Sequence, residues 1–105
     1  MVTNARVLLD TLAEPTRREI VERLVARPSS VSDIARDLPI SRSAVSQHLQ
    51  ILKSVGLVTD RPDGTRRIYR VDPEALAIIR AYFDTFWRRS LDSFQRAAER
   101  TQGES

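Results

Sequence analysis

The stretch Ser41-Arg42-Ser43-Ala44-Val45-Ser46-Gln47-His48-Leu49-Gln50-Ile51-Leu52-Lys53-Ser54-Val55-Gly56 carries the decisive pattern of this chain. Val45, Leu49 and Leu52 fall at i, i+4 and i+7, so they share one side of a helix. Ser41 is a suitable N-cap for it, and Gly56 a left-handed stop. Working back, Leu38-Pro39-Ile40 is too short for anything but a tight turn. Before that turn, Ser30 and Asp33 have capping-box spacing, with Asp in place of the usual Glu. They open a short helix that would bury Val31, Ile34, Ala35 and Leu38. Two helices joined in this way form a helix-turn-helix.

After Gly56 the period changes. Leu57-Val58-Thr59 reads as a strand, Pro62-Asp63-Gly64 as a tight turn, and Arg67-Ile68-Tyr69-Arg70-Val71 as the returning strand. Asp-Gly suits a two-residue hairpin in which both central residues take positive φ. Arg61, Arg66 and Arg67 surround this turn, so a basic hairpin follows directly on the helix-turn-helix. That is a wing.

Toward the ends the pattern is helical again. Ala5, Leu8, Leu9 and Leu12 make one stripe, and Ile20, Val21, Leu24 and Val25 make the inner face of a helix entered at Pro15. Asp72-Pro73-Glu74 opens a last helix with a capping acid, a first-turn proline and an acid at the positive dipole end. Nothing interrupts it before about Arg100, a length of ~42 Å. The expected fold is mainly α, about five helices and a small β-hairpin wing. It makes one winged helix-turn-helix domain over residues 1–100, with a disordered tail at 101–105.

The last helix carries more apolar surface than so small a domain can cover. Leu76, Ile79, Phe83, Phe86, Trp87, Leu91, Phe94 and Ala98 form a broad stripe along it. A second copy of the chain is the expected cover. Leu8, Leu12, Phe83, Trp87, Leu91 and Phe94 are the candidate dimer contacts.

Composition removes several functions. The 105 residues include no cysteine and one histidine, His48. Disulfide frameworks, thiolate nucleophiles, zinc fingers and multi-histidine metal sites within one chain are therefore excluded. Only Gly56, Gly64 and Gly103 are glycines, too few and too scattered for a phosphate loop. No catalytic residue, metal or cofactor is expected, and the chain reads as no enzyme. His48 lies beside the buried stripe, where a hydrogen bond to a neighbour is the expected use. The longest apolar run, Ala75 to Ile79, is far short of the ~20 residues of a membrane span. The start of the chain lacks a secretory layout, so a cytoplasmic protein is expected.

The net charge of +3 is unevenly placed. Residues 41–70 hold Arg42, Lys53, Arg61, Arg66, Arg67 and Arg70 against Asp60 and Asp63, a net +4, and the flanking segments hold none of the excess. A polyanion would bind there. Opposite Val45, Leu49 and Leu52 the helix carries Arg42, Ser43, Ser46, Gln47 and Gln50. Hydroxyls and amides can donate to and accept from base edges in a major groove, and arginine takes guanine or phosphate. An ordinary solvated face favours Glu and Lys, and Arg42 to Leu52 contains neither. Ser41, Ser43 and Thr65 are candidate phosphate donors, and Arg61, Arg66 and Arg67 candidate contacts to the backbone or a minor groove. The competing use of the wing arginines is solubility, or a cross-strand pair with Asp60 or Asp63.

Leu12-Ala13-Glu14-Pro15-Thr16-Arg17-Arg18-Glu19-Ile20-Val21-Glu22-Arg23-Leu24, the block from Ser41 to Val58, and the wing from Arg61 to Tyr69 together resemble ArsR-family winged-helix repressors. The likeness spans about residues 8–100 and is most specific in the 41–58 block. It implies a homodimer on double-stranded operator DNA that blocks transcription. Ser41, Arg42, Ser43, Ser46 and Gln47 would face the major groove, with the wing alongside and the first and last helices at the dimer contact. Metal-sensing members have cysteines at the start of the third helix, where this chain has Ser30 and Ser32. Others use aspartate and histidine on the last helix, which has no histidine here. The resemblance is therefore to the branch without a metal switch. It leaves a small-molecule inducer open: an apolar ligand at the aromatic dimer interface is one use of Phe83, Phe86 and Trp87, and core packing is the expected one. The alternative function is a winged helix that serves protein–protein assembly without specific DNA binding.

Overall fold

In a computed structural model the described residues are 4–103. The elements run α1 (Ala5–Leu12), α2 (Pro15–Ala26), α3 (Val31–Asp37), α4 (Arg42–Ser54), β1 (Val58–Asp63), β2 (Arg66–Val71) and α5 (Pro73–Gly103). Five helices and an antiparallel hairpin are the expected winged helix-turn-helix architecture.

Local chemistry sets most boundaries. Asn4 Oδ1 accepts from Val7 N–H at the start of α1, and Glu14 accepts from Arg17 N–H at the start of α2. Ser30 and Asp33 form the reciprocal capping box on α3. Ser41 Oγ accepts from Ala44 N–H and caps α4. At the other end of α4, Gly56 takes φ +84°. Its N–H donates to Lys53 O and that of Leu57 to Leu52 O, the paired bonds of a Schellman stop. Arg17 and Arg18 turn back to the end of α1, donating to Thr11 O and Leu12 O, two carbonyls the helix leaves open.

Leu8, Ile20, Leu24, Ile34, Val45, Leu49, Leu52, Leu57 and Val58 meet in one buried core, completed by Val21, Tyr69 and Ala75. Tyr69 enters because β2 pairs with Ser29 as well as with β1: Ser29 N–H donates to Tyr69 O, and Tyr69 N–H to Ser29 O. This two-bond bridge ties the wing to the start of α3.

Four expectations are corrected. Val25 is 60% exposed rather than buried, because α2 presents only Ile20, Val21 and Leu24 to the core. The hairpin turn lies one residue further on. Asp63 pairs with Arg66, so the central residues are Gly64 and Thr65, and only Gly64 has positive φ. Glycine at the first central position is what a II′ turn asks, and it spares Asp63 the left-handed conformation. The helix expected to end near Arg100 continues to Gly103, with Thr101 Oγ1 donating to Ala97 O. Residues 101–103 are therefore helical, since neither Thr nor Gln breaks a helix and the first glycine is Gly103. Residues 1–3 of the domain and 104–105 of the expected tail lie outside the described residues.

The fourth concerns Leu8, placed among the dimer contacts. It is 0% exposed and packs inside its own chain, so no partner can reach it. Leu12 is partly buried against the same core. By contrast Phe83, Trp87, Leu91 and Phe94 are all exposed on α5, of which only Ala75 is buried. The molecule measures 70 × 29 × 20 Å with a radius of gyration of 18.9 Å. A compact chain of this length has ~13 Å. Most of α5 stands clear of its own domain.

Candidate nucleic-acid interface

The exposed side of α4 follows from its buried side. With Val45, Leu49 and Leu52 fully enclosed, Arg42, Ser43, Ser46, Gln47 and Gln50 all emerge on the exposed surface. Ser41 is exposed too; its oxygen accepts in the cap and its own hydrogen stays available to donate.

The start of α4 meets the wing. A 220 Å³ cleft is lined by Ser30, Val31 and Ser32 from the α3 entry, Arg42 from α4, and Thr65, Arg66, Arg67 and Tyr69 from the hairpin. The fold thus gathers three cations and several hydroxyls from three elements that are far apart in sequence. Arg61 is exposed on β1, opposite Ile68 and away from this lining.

Acids take up part of this charge. Asp33 lies 3.6 Å from Arg66 and 2.9 Å from Arg36. Hydrogen bonds from Ser30, then these cations, hold its carboxyl below the usual carboxylate range. Asp60 is more deeply engaged. Arg67 Nε donates to its Oδ2 at 2.7 Å, and Lys53 Nζ sits 2.9 Å from its Oδ1. Arg67 and then Lys53 push the Asp60 carboxyl down, and Asp60 pushes the Arg67 guanidinium up. The cross-strand pair is therefore present for Arg67, although half of that side chain stays exposed. Arg70 is half-buried on the Ile68 face, its Nε without a hydrogen-bond partner.

His48 faces Glu14, with Nδ1 at 3.9 Å from the carboxylate and no hydrogen bond made. The expected bond is replaced by a looser approach, to the same carboxylate oxygen that accepts from Arg17 N–H in the α2 cap. Among the described residues no group of three or more metal-ligating side chains is assembled. No helix among them is long and apolar enough to cross a membrane.

Sequence reasoning counted Lys53 among the cations but missed its pairing with Asp60, and it missed Ser29 altogether. Lys53 is the only lysine and falls in the last turn of α4, so its reach to the wing depends on the angle at Gly56. Ser29 shows no strand pattern, and its pairing with Tyr69 is a tertiary contact.

The profile of the arsR family of bacterial regulatory proteins matches residues 14–60, which run from the α2 cap to the third residue of β1. The chain is 57% identical over 83 residues to the HTH-type transcriptional regulator Rv2034 of Mycobacterium tuberculosis, covering 79% of this chain and 78% of that one. A solved structure described as a possible transcriptional regulator for arsenical resistance superposes with a TM-score of 0.69 at 48% identity, over 85% of this chain and 93% of its own. Another, the homodimeric winged helix-turn-helix DNA-binding domain of a Mycobacterium bovis protein, gives 0.65 at 28% identity, over 76% and 75%.

Proposed function

We propose that this chain, which belongs to the arsR family of bacterial regulatory proteins, works as a homodimer that reads an inverted-repeat operator and represses transcription there. A DNA-binding transcriptional regulator rather than an enzyme is what the family and the winged fold give. The finer reading rests above all on one observation: the +4 segment folds so that Arg42 at the start of α4 and Thr65, Arg66 and Arg67 of the wing line one cleft, with the rest of the polar face of α4 exposed.

On this reading α4 enters the major groove, with Arg42 and Ser43 in its first turn nearest the bases and Ser46, Gln47 and Gln50 following. Ser41, Thr65 and Arg66 address phosphates, and Arg61 and the free end of Arg67 lie along the flanking groove. The exposed α5 stripe supplies the dimer contact through Phe83, Trp87, Leu91 and Phe94, with Leu12 at its edge. The homodimeric Mycobacterium bovis relative supports this assembly. A two-fold dimer sets two recognition helices about one DNA turn apart, hence an inverted repeat. Repression follows by occupancy, since a dimer across a promoter excludes polymerase.

Titration against duplexes selected by the wild-type protein from a randomised library, at several salt concentrations, tests the proposal. Nanomolar affinity and a steep salt slope are expected. Arg42→Ala with Arg66→Ala should shallow the slope by roughly 0.9 per lost phosphate contact, in both protomers, while the dimer mass is unchanged. Failure to select any sequence, or indifference to salt, refutes it and leaves protein–protein assembly as the use of the fold.

A further inference from the structure

We propose that Asp60 is a positioning residue for DNA recognition: an acid on the DNA-facing hairpin whose charge locks the wing to the recognition helix, so that its removal weakens specific binding. The inference rests on the operator-binding reading above.

On electrostatic grounds alone Asp60 is misplaced. It sits on the basic wing, within the segment that holds the whole net positive charge, where a carboxylate repels phosphate. Its surroundings suggest why it is there. The side chain is only 6% exposed, and its two oxygens are divided between two elements. Oδ1 faces Lys53 Nζ from the last turn of α4, and Oδ2 accepts from Arg67 Nε on β2. The strand register puts Asp60 opposite Tyr69 and Pro62 opposite Arg67, so Asp60 and Arg67 are diagonal neighbours on one face of the hairpin. That face also bears buried Val58 and Tyr69.

Between α4 and β1 the chain passes through Val55, Gly56 and Leu57 only, and Gly56 is where the direction changes. Backbone bonds fix the base of the hairpin: Leu57 N–H to Leu52 O, Asp72 N–H to Leu57 O, and the Ser29–Tyr69 pair. Farther out, towards Gly64, the hairpin has no third strand, and its side-chain approach there is that of exposed Arg66 to Asp33 of α3 at 3.6 Å. The Lys53–Asp60–Arg67 bridge is the side-chain tie from α4 to both strands, running from Asp60, opposite Tyr69, outward to Arg67. It holds at one angle two surfaces that must meet the same duplex in adjacent grooves. Loss of the bridge lets the wing pivot, and ordering it on DNA then weakens the specific complex. Nonspecific binding depends on charge rather than angle and does not suffer.

The test compares wild type, Asp60→Asn and Lys53→Gln on the duplex selected by the wild-type protein and on a scrambled duplex of equal length. Circular dichroism and sedimentation confirm fold and dimer in each. If positioning holds, Asp60→Asn binds the selected duplex about tenfold more weakly and the scrambled one equally or more tightly. Hydroxyl-radical protection flanking the major-groove footprint fades. Lys53→Gln lowers the specific-to-nonspecific ratio in the same way. Combined with Asp60→Asn it adds little, the mark of a shared bridge. Tighter binding of the selected duplex by Asp60→Asn, or an unchanged ratio in Lys53→Gln, overturns the inference. If Asp60→Asn fails to fold, the Lys53→Gln ratio decides alone. A wild-type protein that selects no sequence defeats the underlying operator reading instead, and is seen before any variant is made.

Discussion

Two apolar residues of the expected dimer contact, Leu8 and Trp87, should separate cleanly when each is replaced by alanine. Leu8 is wholly enclosed in its own chain, whereas Trp87 is 60% exposed on the free part of α5. A tryptophan side chain buries up to ~250 Å². The exposed share is then roughly 150 Å², which at ~25 cal/mol/Å² is worth about 4 kcal/mol if a partner covers it. Association recovers only part of such an area, and alanine keeps some of it, so about 2 kcal/mol per copy is a reasonable figure. A two-fold interface loses the residue twice, about 4 kcal/mol in all, or close to a thousandfold in the dimer dissociation constant. Sedimentation equilibrium over a wide concentration range reads this directly, and DNA titrations should become steeply dependent on protein concentration. Leu8→Ala instead leaves a cavity, expected to lower fold stability by ~2–5 kcal/mol. It should lower Tm while leaving the folded dimer's affinity near wild type. The reasoning fails if Trp87→Ala stays dimeric at concentrations where wild type does, or if Leu8→Ala weakens the dimer more than Trp87→Ala.

Two further outcomes concern the scaffold. Ser30→Ala removes one arm of the capping box on α3 and should cost about 1 kcal/mol, visible as a lower urea midpoint with an unchanged m-value. No loss would mean that the buried hydroxyl contributes nothing to α3. For pH, the Asp60, Asp33 and Glu14 carboxyls are all held below their usual range in the folded chain. Groups with depressed folded pKa stabilise fully above their unfolded value, about 4, and lose that contribution as pH falls through the folded value. The urea midpoint should hold from neutrality to about pH 5 and drop below ~4, less steeply in Asp60→Asn. A decline beginning near pH 6 would show that these three carboxyls do not set the acid limit.

Much of the fold was legible because its signals are local. The cap at Ser30–Asp33, the i, i+4, i+7 spacing of Val45, Leu49 and Leu52, and the stop at Gly56 need no tertiary information. The same spacing identified the exposed face of α4, so Arg42, Ser43, Ser46, Gln47 and Gln50 emerged as expected. What escaped depends on contacts between distant segments. An apolar stripe on α1 says that Leu8 is buried without saying by what, and its own core claimed it before a partner could. Tyr69 joined that core through the backbone pair with Ser29, which no periodicity announces. In the wing, moving the turn to Gly64-Thr65 changed which residue stands directly opposite Asp60. It left Asp60 and Arg67 on the same face, and for that reason a cross-strand pair survived an error in register.

Charge counting and charge placement lead to different maps of the wing. By count, Arg61, Arg66 and Arg67 are equivalent and Asp60 is a deduction from them. By placement, Arg67 Nε is occupied by Asp60, Arg66 lies within reach of Asp33, and Arg61 is exposed on the other face from Asp60. A cation already bonded to a carboxylate brings less attraction to a phosphate, and more geometry. Within the wing, affinity should therefore follow Arg61, whereas discrimination between sequences should follow the bridged pair. Single alanine replacements would show it: Arg61→Ala lowering binding to selected and scrambled DNA alike and reducing the salt slope, Arg67→Ala lowering mainly the selected complex. Equal losses on both duplexes for Arg67→Ala would return it to the ordinary phosphate contacts, and the bridge to Asp60 would then be an accident of neighbouring charges.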